Sequence, residues 1–354
     1  MTPLRTPDTR APRAARRTLL LPVLLYGTGL LLLAAAIALA VSIGEIRIPF
    51  TTTLAAIGNA LGISDVPLDR IHESIVRDYR LSRALVAACC GAGLALCGAI
   101  LQALLRNPLA EPYVLGISAG ASTGAVAVMV LGLGGGAVSL SLGAFVGSLG
   151  AFAAVVALSS GAASRPNRII LAGVASSQLF NALTAWIVST SASAEQVRGI
   201  MFWLLGNLGG VRWPEVQLAL AVVAVAFVTC LACARALDAF TFGQDAAAAL
   251  GIPVRGVRLL LFTVTALLTA AMVSMVGAIG FVGLVIPHAA RLVVGPTHVR
   301  LLPTALLTGA IFMVLADLVS RLVVPGQSLP IGVVTALVGA PVFAIILYRA
   351  RPPM

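Results

Sequence analysis

The 354 residues are 60% hydrophobic and 10% charged, with a mean hydropathy of +1.06. A soluble domain carries about 25% charged residues, so this composition excludes one and indicates an all-α polytopic membrane protein. The apolar runs are continuous and not alternating, which argues against a β-barrel. All 23 basic residues are arginine, which excludes a Walker A loop, Schiff-base chemistry and Ser-Lys chemistry.

Residues 1–17 hold five arginines and three prolines and read as a disordered cytoplasmic tail. A single transmembrane domain is expected over 18–354. Thr18 to Ile43 runs 26 residues without a charge. The apolar core of a secretory signal is about 7–15 residues long, so this is read as an uncleaved first helix; Arg16-Arg17 as a twin-arginine signal is the alternative. Residues 44–83 form the longest polar segment. Ala84 to Leu105 is 22 residues without a charge, and about 20 cross a bilayer core. Pro108 and Pro112 bracket the following turn, where a helix cannot easily continue. Gly116, Gly120 and Gly124 then share one face of a third helix reaching about Leu131, a close-packing face in lipid.

The fourth helix is expected over about 138–160, with Gly143 and Gly147 again four apart, and the fifth over about 169–190. Residues 191–213 are amphipathic and too short to span; Trp203 and Trp213 suit an interfacial belt. The sixth helix takes about 214–234 and a polar segment 235–258. The seventh takes about 259–276. A break at Gly277, Gly280 and Gly283 precedes a shorter eighth helix ending near Arg291. The ninth and tenth take about 304–323 and 331–348. Ten spans leave both termini on one side. That side holds fifteen arginines and four acids, the other eight arginines and eight acids, so the whole +11 lies on one face. The positive-inside rule makes that face cytoplasmic. It also explains the basic charge without nucleic acid.

Arg80-x-x-Arg83, Gln102, Arg106-Asn-Pro-Leu-Ala110, Pro112 and Leu115-Gly116 resemble the signature of the FecCD family, as does Gly277-Ala-Ile-Gly-Phe-Val-Gly283 with Pro287, His288 and Arg291. The similarity covers roughly residues 76–348. It implies the permease fold of a type II ATP-binding-cassette importer in the bacterial inner membrane, carrying a metal chelate: iron–siderophore, haem or vitamin B12. On family frequency iron–siderophore is expected. The resemblance further implies a homodimer, two separate ATPase subunits, and a periplasmic or lipid-anchored binding protein. No enzymatic activity, cofactor or metal site is expected in the chain itself.

Site residues follow from the same resemblance. The segment at about 238–254, with Asp245, Ala246, Ala247, Leu250 and Gly251, is similar to the ATPase-coupling segment; alanines admit a close partner backbone, and Gly251 and Pro253 stop the helix. The alternative is an ordinary solvated loop. Arg80, Arg83 and Arg321 match arginines that receive carboxylates of the binding protein in the family's vitamin B12 importers; the alternative is interfacial snorkelling. Asn107 and Leu109 match an inner gate, although Pro166 and Asn167 depart from the opposing turn. Asp317 and Arg321, four apart, read as a local ion pair. An ion-coupled secondary transporter using Asp317 and His288 is the rival reading, because intramembrane ionisable residues mark such sites; an intramembrane enzyme lacks a paired catalytic set. Cys230-x-x-Cys233 and the other cysteines read as buried packing residues.

Overall fold

Backbone groups in lipid must be satisfied within the spanning segment, and the computed structural model of the chain is helical, with no strand among the described residues. It describes residues 11–44, 48–60, 62–132, 138–159, 166–324 and 326–349. The expected tail lies outside these up to residue 10, and its remainder belongs to α1 (Ala11–Ser42). There follow α2 (Phe50–Ala60), α3 (Arg70–Ser74), a π-helical stretch Ile75–Leu81, α4 (Ser82–Leu104), a 3-10 turn Pro112–Leu115 and α5 (Ile117–Leu131). Next come α6 (Leu140–Ser159), α7 (Pro166–Ser191), α8 (Ala194–Leu204), α9 (Trp213–Ala232), α10 (Ala234–Thr241), α11 (Gln244–Ala249) and α12 (Val254–Val276). The chain closes with α13 (Val282–Val294), α14 (His298–Leu322) and α15 (Ile331–Arg349). Among the described residues, seven helices are long and apolar enough to span, and three shorter apolar ones accompany them. That is the ten expected.

Two expected boundaries shift. The polar segment 44–83 contains α2 and α3, and α3 runs without interruption into α4 as a 35-residue helix, Arg70–Leu104. At 1.5 Å per residue this is about 52 Å, well beyond a 30 Å hydrocarbon core, so its charged first turns project from the membrane. At the other end, α12 begins at Val254, so Arg255 and Arg258 sit on its first turns; their long stems allow this near a membrane surface.

α4 is the axis of the bundle, sheathed by α14, α13, α9 and α12. Glycine makes the contacts close. A Cβ on Gly91 would strike the Gly309 carbonyl of α14, and one on Gly98 the Gly283 carbonyl of α13. α5 and α6 pack likewise, Gly120 against Gly147 and Gly124 against Gly143, the small-residue packing that lipid favours. Gly116 departs from the expected stripe: at φ 72° it is the left-handed residue ahead of α5, facing Ser176 of α7. Gly277, also left-handed at φ 78°, lies against the Trp203 carbonyl, whereas Gly280 has only ordinary contact with Tyr113.

Backbone of the 205–207 loop holds the end of α12 at the α12–α13 break, and α15 in turn holds that loop. The Asn207 amide donates to Val276 O at 2.8 Å, the Ile331 amide to Gly206 O at 3.0 Å, and the Gly332 amide to Leu205 O at 3.0 Å. The Tyr113 hydroxyl meets the Ile279 amide, and the Glu111 carboxylate the Phe281 amide. Irregular backbone inside a bundle is tolerated where protein satisfies it in this way.

Candidate functional site

The residues singled out in the sequence fall at the two ends of α4. At its start, the C-terminal turn of α1 arrives with carbonyls that have no partner inside the helix. Arg80 Nη1 donates to Val41 O at 3.0 Å and Ser42 O at 3.3 Å. Arg321 donates through Nη1 to Ile43 O at 3.1 Å and through Nη2 to Ala40 O at 3.0 Å. Cations here also suit the negative end of the helix dipole. Gly44 leaves room for this, since a Cβ there would lie 2.6 Å from Arg80 Nη2.

Asp317, fully buried on α14, joins the cluster. Arg83 reaches its Oδ1 through Nε and Nη2, both at 2.8 Å, and Arg321 Nε lies 3.2 Å from its Oδ2. The structure thus assembles Arg80, Arg83 and Arg321, and it turns all three inward: Arg80 is 8% exposed, and the side chains of Arg83 and Arg321 are 17% and 14% exposed. Snorkelling is therefore not what these arginines do. The expected Asp317–Arg321 pair is present, but Asp317 is shared with Arg83, 234 positions away.

At the far end of α4 the turn after Leu104 carries Arg106 at φ 49°. The Asn107 Oδ1 accepts the Leu109 amide at 2.9 Å, an Asx turn, and Leu109 is half exposed. This turn abuts α10 and α11: a Cβ on Gly243 would sit 3.5 Å from Arg106 Nη1. α11 starts after Gly243 with Asp245 in its first turn and buries Ala247. It stops at left-handed Gly251, where the Ile252 amide reaches back to Ala247 O at 3.2 Å and Gly251 to Ala248 O at 2.9 Å, a Schellman-type stop. Ala246 lies on the same short helix. Phe242 and Leu250 flank it at 79% and 72% exposure, an apolar surface on a polar foot. Phe242 was not singled out in the sequence; Phe240, two residues before it, is buried, and only exposure separates the two.

The foot is braced. Asp238 Oδ1 accepts the His298 amide at 2.9 Å and stands 2.6 Å from its Nδ1, joining α10 to the start of α14. A second buried network supports α13. Pro287 has no N–H, so the carbonyl four residues earlier, Gly283 O, loses its helical donor. Gln102 Nε2 supplies one at 3.2 Å, with Leu284 O at 3.3 Å, and its Oε1 accepts from Arg291 Nη2 at 2.5 Å.

His288 is half-buried on α13, near the Gln102 end of α4, whereas Asp317 lies at the Arg83 end. Nineteen helical residues separate those ends, about 28 Å, so His288 and Asp317 do not form one site. Among the described residues no group of three His, Cys, Asp or Glu could hold a metal ion, and the five cysteines are free thiols.

The chain resembles known proteins over nearly this whole architecture. The pattern of the FecCD transport family matches residues 30–349. The cobalamin import system permease protein BtuC of Halobacterium salinarum is 42% identical over 276 residues, 78% of this chain and 73% of that protein. The ABC transporter permease protein YvrB of Bacillus subtilis is 38% identical over 334 residues, 92% of this chain and 93% of its own. The vitamin B12 import system permease protein BtuC of Salmonella typhimurium is 41% identical over 281 residues, 78% and 85% of the two chains. A solved inward-facing metal-chelate type ABC transporter superposes with a TM-score of 0.80 at 30% identity, covering 93% of this chain and 99% of that one. With the ten-element bundle, the α12–α13 break and the Asn107 turn in place, the chain belongs to the FecCD transport family and is a multi-pass ABC transporter permease.

Proposed function

We propose that the chain is the permease of an importer that works as a homodimer, with two ATPase subunits seated on the foot and a substrate-binding protein at the arginine end. The foot is then cytoplasmic and both termini lie on its side, in a bacterial inner membrane. The observation that carries this reading is the foot itself: a short alanine-rich helix flanked by exposed Phe242 and Leu250 and braced to α14. An exposed apolar patch of this kind marks a protein contact. ATP-driven changes at the foot would pass to the adjoining Asn107 turn, where Asn107 and Leu109 act as the inner gate. The states would differ in population through differential contacts with the partners.

A pathway along the dimer interface is supported by α7. It has the lowest hydropathy of the candidate spans, 1.3, and exposes Gln178 and Asn181 near its midpoint. Exposed amides at that depth face water or protein in preference to lipid.

Docking of the binding protein at Arg83 and Arg321 is kept in a narrower form. The two guanidinium groups face one carboxylate, so the cluster retains surplus positive charge that attracts a partner's acids. Reversing Arg80 and Arg83 to glutamate would also break the α1 cap and the Asp317 pair, and so would confuse docking with folding. The cleaner variant is Arg83→Gln alone, which removes the surplus charge while Arg321 still pairs with Asp317: uptake fails while the assembled complex survives purification. Uptake at the parental rate would remove the docking role.

For the cargo, the relatives named for cobalamin and vitamin B12 import put a corrinoid first to test, ahead of the iron–siderophore expected from the family at large. The experiment is uptake of radiolabelled cyanocobalamin and of a ferric siderophore in proteoliposomes holding the permease with its ATPase and binding protein. Corrinoid uptake that stops without ATP is expected. Uptake that ignores ATP and collapses with an uncoupler would overturn the importer reading.

A further inference from the structure

A cleft of about 720 Å³ opens between α6, α9 and α12, walled by apolar residues such as Phe145, Leu218, Val225, Val264 and Leu267. It continues into a second pocket of about 560 Å³ under α8, whose lining mixes apolar side chains such as Phe202 and Trp203 with Glu195, Arg198, Asn207 and Glu215. Ser141, Glu215 and Met275 line both, so the two form one groove with an apolar limb and a charged head.

Its depth selects the occupant. Along α9 the lining runs from Pro214 to Ala226, and along α12 from Met275 to Val264. Twelve and eleven helical residues rise about 18 and 16 Å. That is about half of a 30 Å hydrocarbon core, the depth of one leaflet. A transmembrane helix of a partner protein would need the full thickness, which this cleft does not offer. An acyl chain needs only one leaflet.

The charges select the headgroup. Arg198 is exposed and has no ion-pair partner among the described residues, so its guanidinium is available for a phosphate. Glu195 and Glu215 add two carboxylates; one Glu215 oxygen already accepts the Arg212 amide at 2.8 Å. One cation beside two acids matches a zwitterion bearing a phosphate and a primary ammonium. An anionic headgroup without an amine would meet uncompensated carboxylate repulsion, and a trimethylammonium group has no N–H to donate.

We propose that this groove is a binding site for phosphatidylethanolamine, with the phosphate on Arg198, the ammonium between Glu195 and Glu215, and an acyl chain in the α6–α9–α12 cleft. The bound lipid would tie α8 to the bundle on the side of α8 facing α5 and α6.

The test is native mass spectrometry of the full-length chain released from vesicles containing equal phosphatidylethanolamine, phosphatidylcholine and phosphatidylglycerol. Phosphatidylethanolamine is expected to be retained about tenfold over either competitor, the worth of one or two charged hydrogen bonds. Arg198→Ala should bring it down to the competitors' level. Val225→Trp, which fills the cleft from a site already exposed, should lower retention of all three lipids. Circular dichroism on both variants separates lipid loss from misfolding, and Arg198→Gln serves if Arg198→Ala does not fold. Equal retention of the three lipids by the parent chain overturns the proposal, and so does selective retention that survives the Arg198 substitution.

Discussion

Asp238 holds His298 twice, by its backbone amide at 2.9 Å and by its ring Nδ1 at 2.6 Å, so the foot and α14, the helix packed most extensively on α4, share one carboxylate. Because α14 also carries Asp317 near its other end, the same helix meets the foot at one end and the arginine cluster at the other.

Removing this carboxylate should loosen the foot. Asp238→Ala is expected to speed hydrogen exchange of the α10 and α11 amides by about tenfold or more, since an unsatisfied buried donor costs ~1–3 kcal/mol. Asp238→Asn keeps an acceptor and should change exchange less. Exchange unaltered by either variant would mean that the foot is held elsewhere.

Asp317 balances two arginines in a buried setting. Asp317→Ala leaves both uncompensated, and the expected loss of stability is ~3–5 kcal/mol. Replacing Arg83, Asp317 and Arg321 together by apolar residues of similar volume should recover part of it, although the Arg321 bonds to α1 go with them. Thermal unfolding in a fixed detergent reads both; a triple variant no better than Asp317→Ala would show that the α1 cap outweighs the ion pair.

Gln102 matters because of Pro287. Gln102→Ala strips the donor from Gly283 O and should destabilise by ~1–3 kcal/mol. Pro287→Ala restores a helical N–H to that carbonyl, so in its presence Gln102→Ala should cost less. A double-mutant cycle measures the coupling; strictly additive effects would show that Gln102 serves Arg291 alone.

Gly98 faces a backbone carbonyl that no rotamer change can move aside. Gly98→Ala is expected to force α4 and α13 apart, lowering the yield of folded permease, while Gly256→Ala, with open space around its position, should be silent. Equal yields would show that the two helices slide past each other freely.

Several features are legible in the amino-acid sequence alone. The ten apolar elements, the Gly120–Gly124 stripe, the α12–α13 break and the short alanine helix stopped at Gly251 all follow from spacing along one segment. The features that spacing does not reveal share a cause. α2 and α3 hide in a polar stretch without a strong apolar period, and α10, although amphipathic, is only eight residues long, shorter than the window over which periodicity is read. Phe242 and Gln178 gain meaning only from exposure. The inward turn of Arg80 depends on π winding over Ile75–Leu81 and on the end of α1, neither written in the Arg80-x-x-Arg83 spacing.

By itself, then, the amino-acid sequence determined what depends on solvent. A run of about 20 apolar residues enters lipid wherever it occurs, because its transfer energy is a local property, and glycines four apart present a packing face on any helix. Only the tertiary structure decided which polar groups meet: Arg83 with Asp317 across 234 positions, Gln102 with Gly283 across 181, His298 with Asp238 across 60. Those pairings depend on where helices cross and how deep each one sits, and in a low-dielectric interior a charge lacking its partner is too expensive to keep.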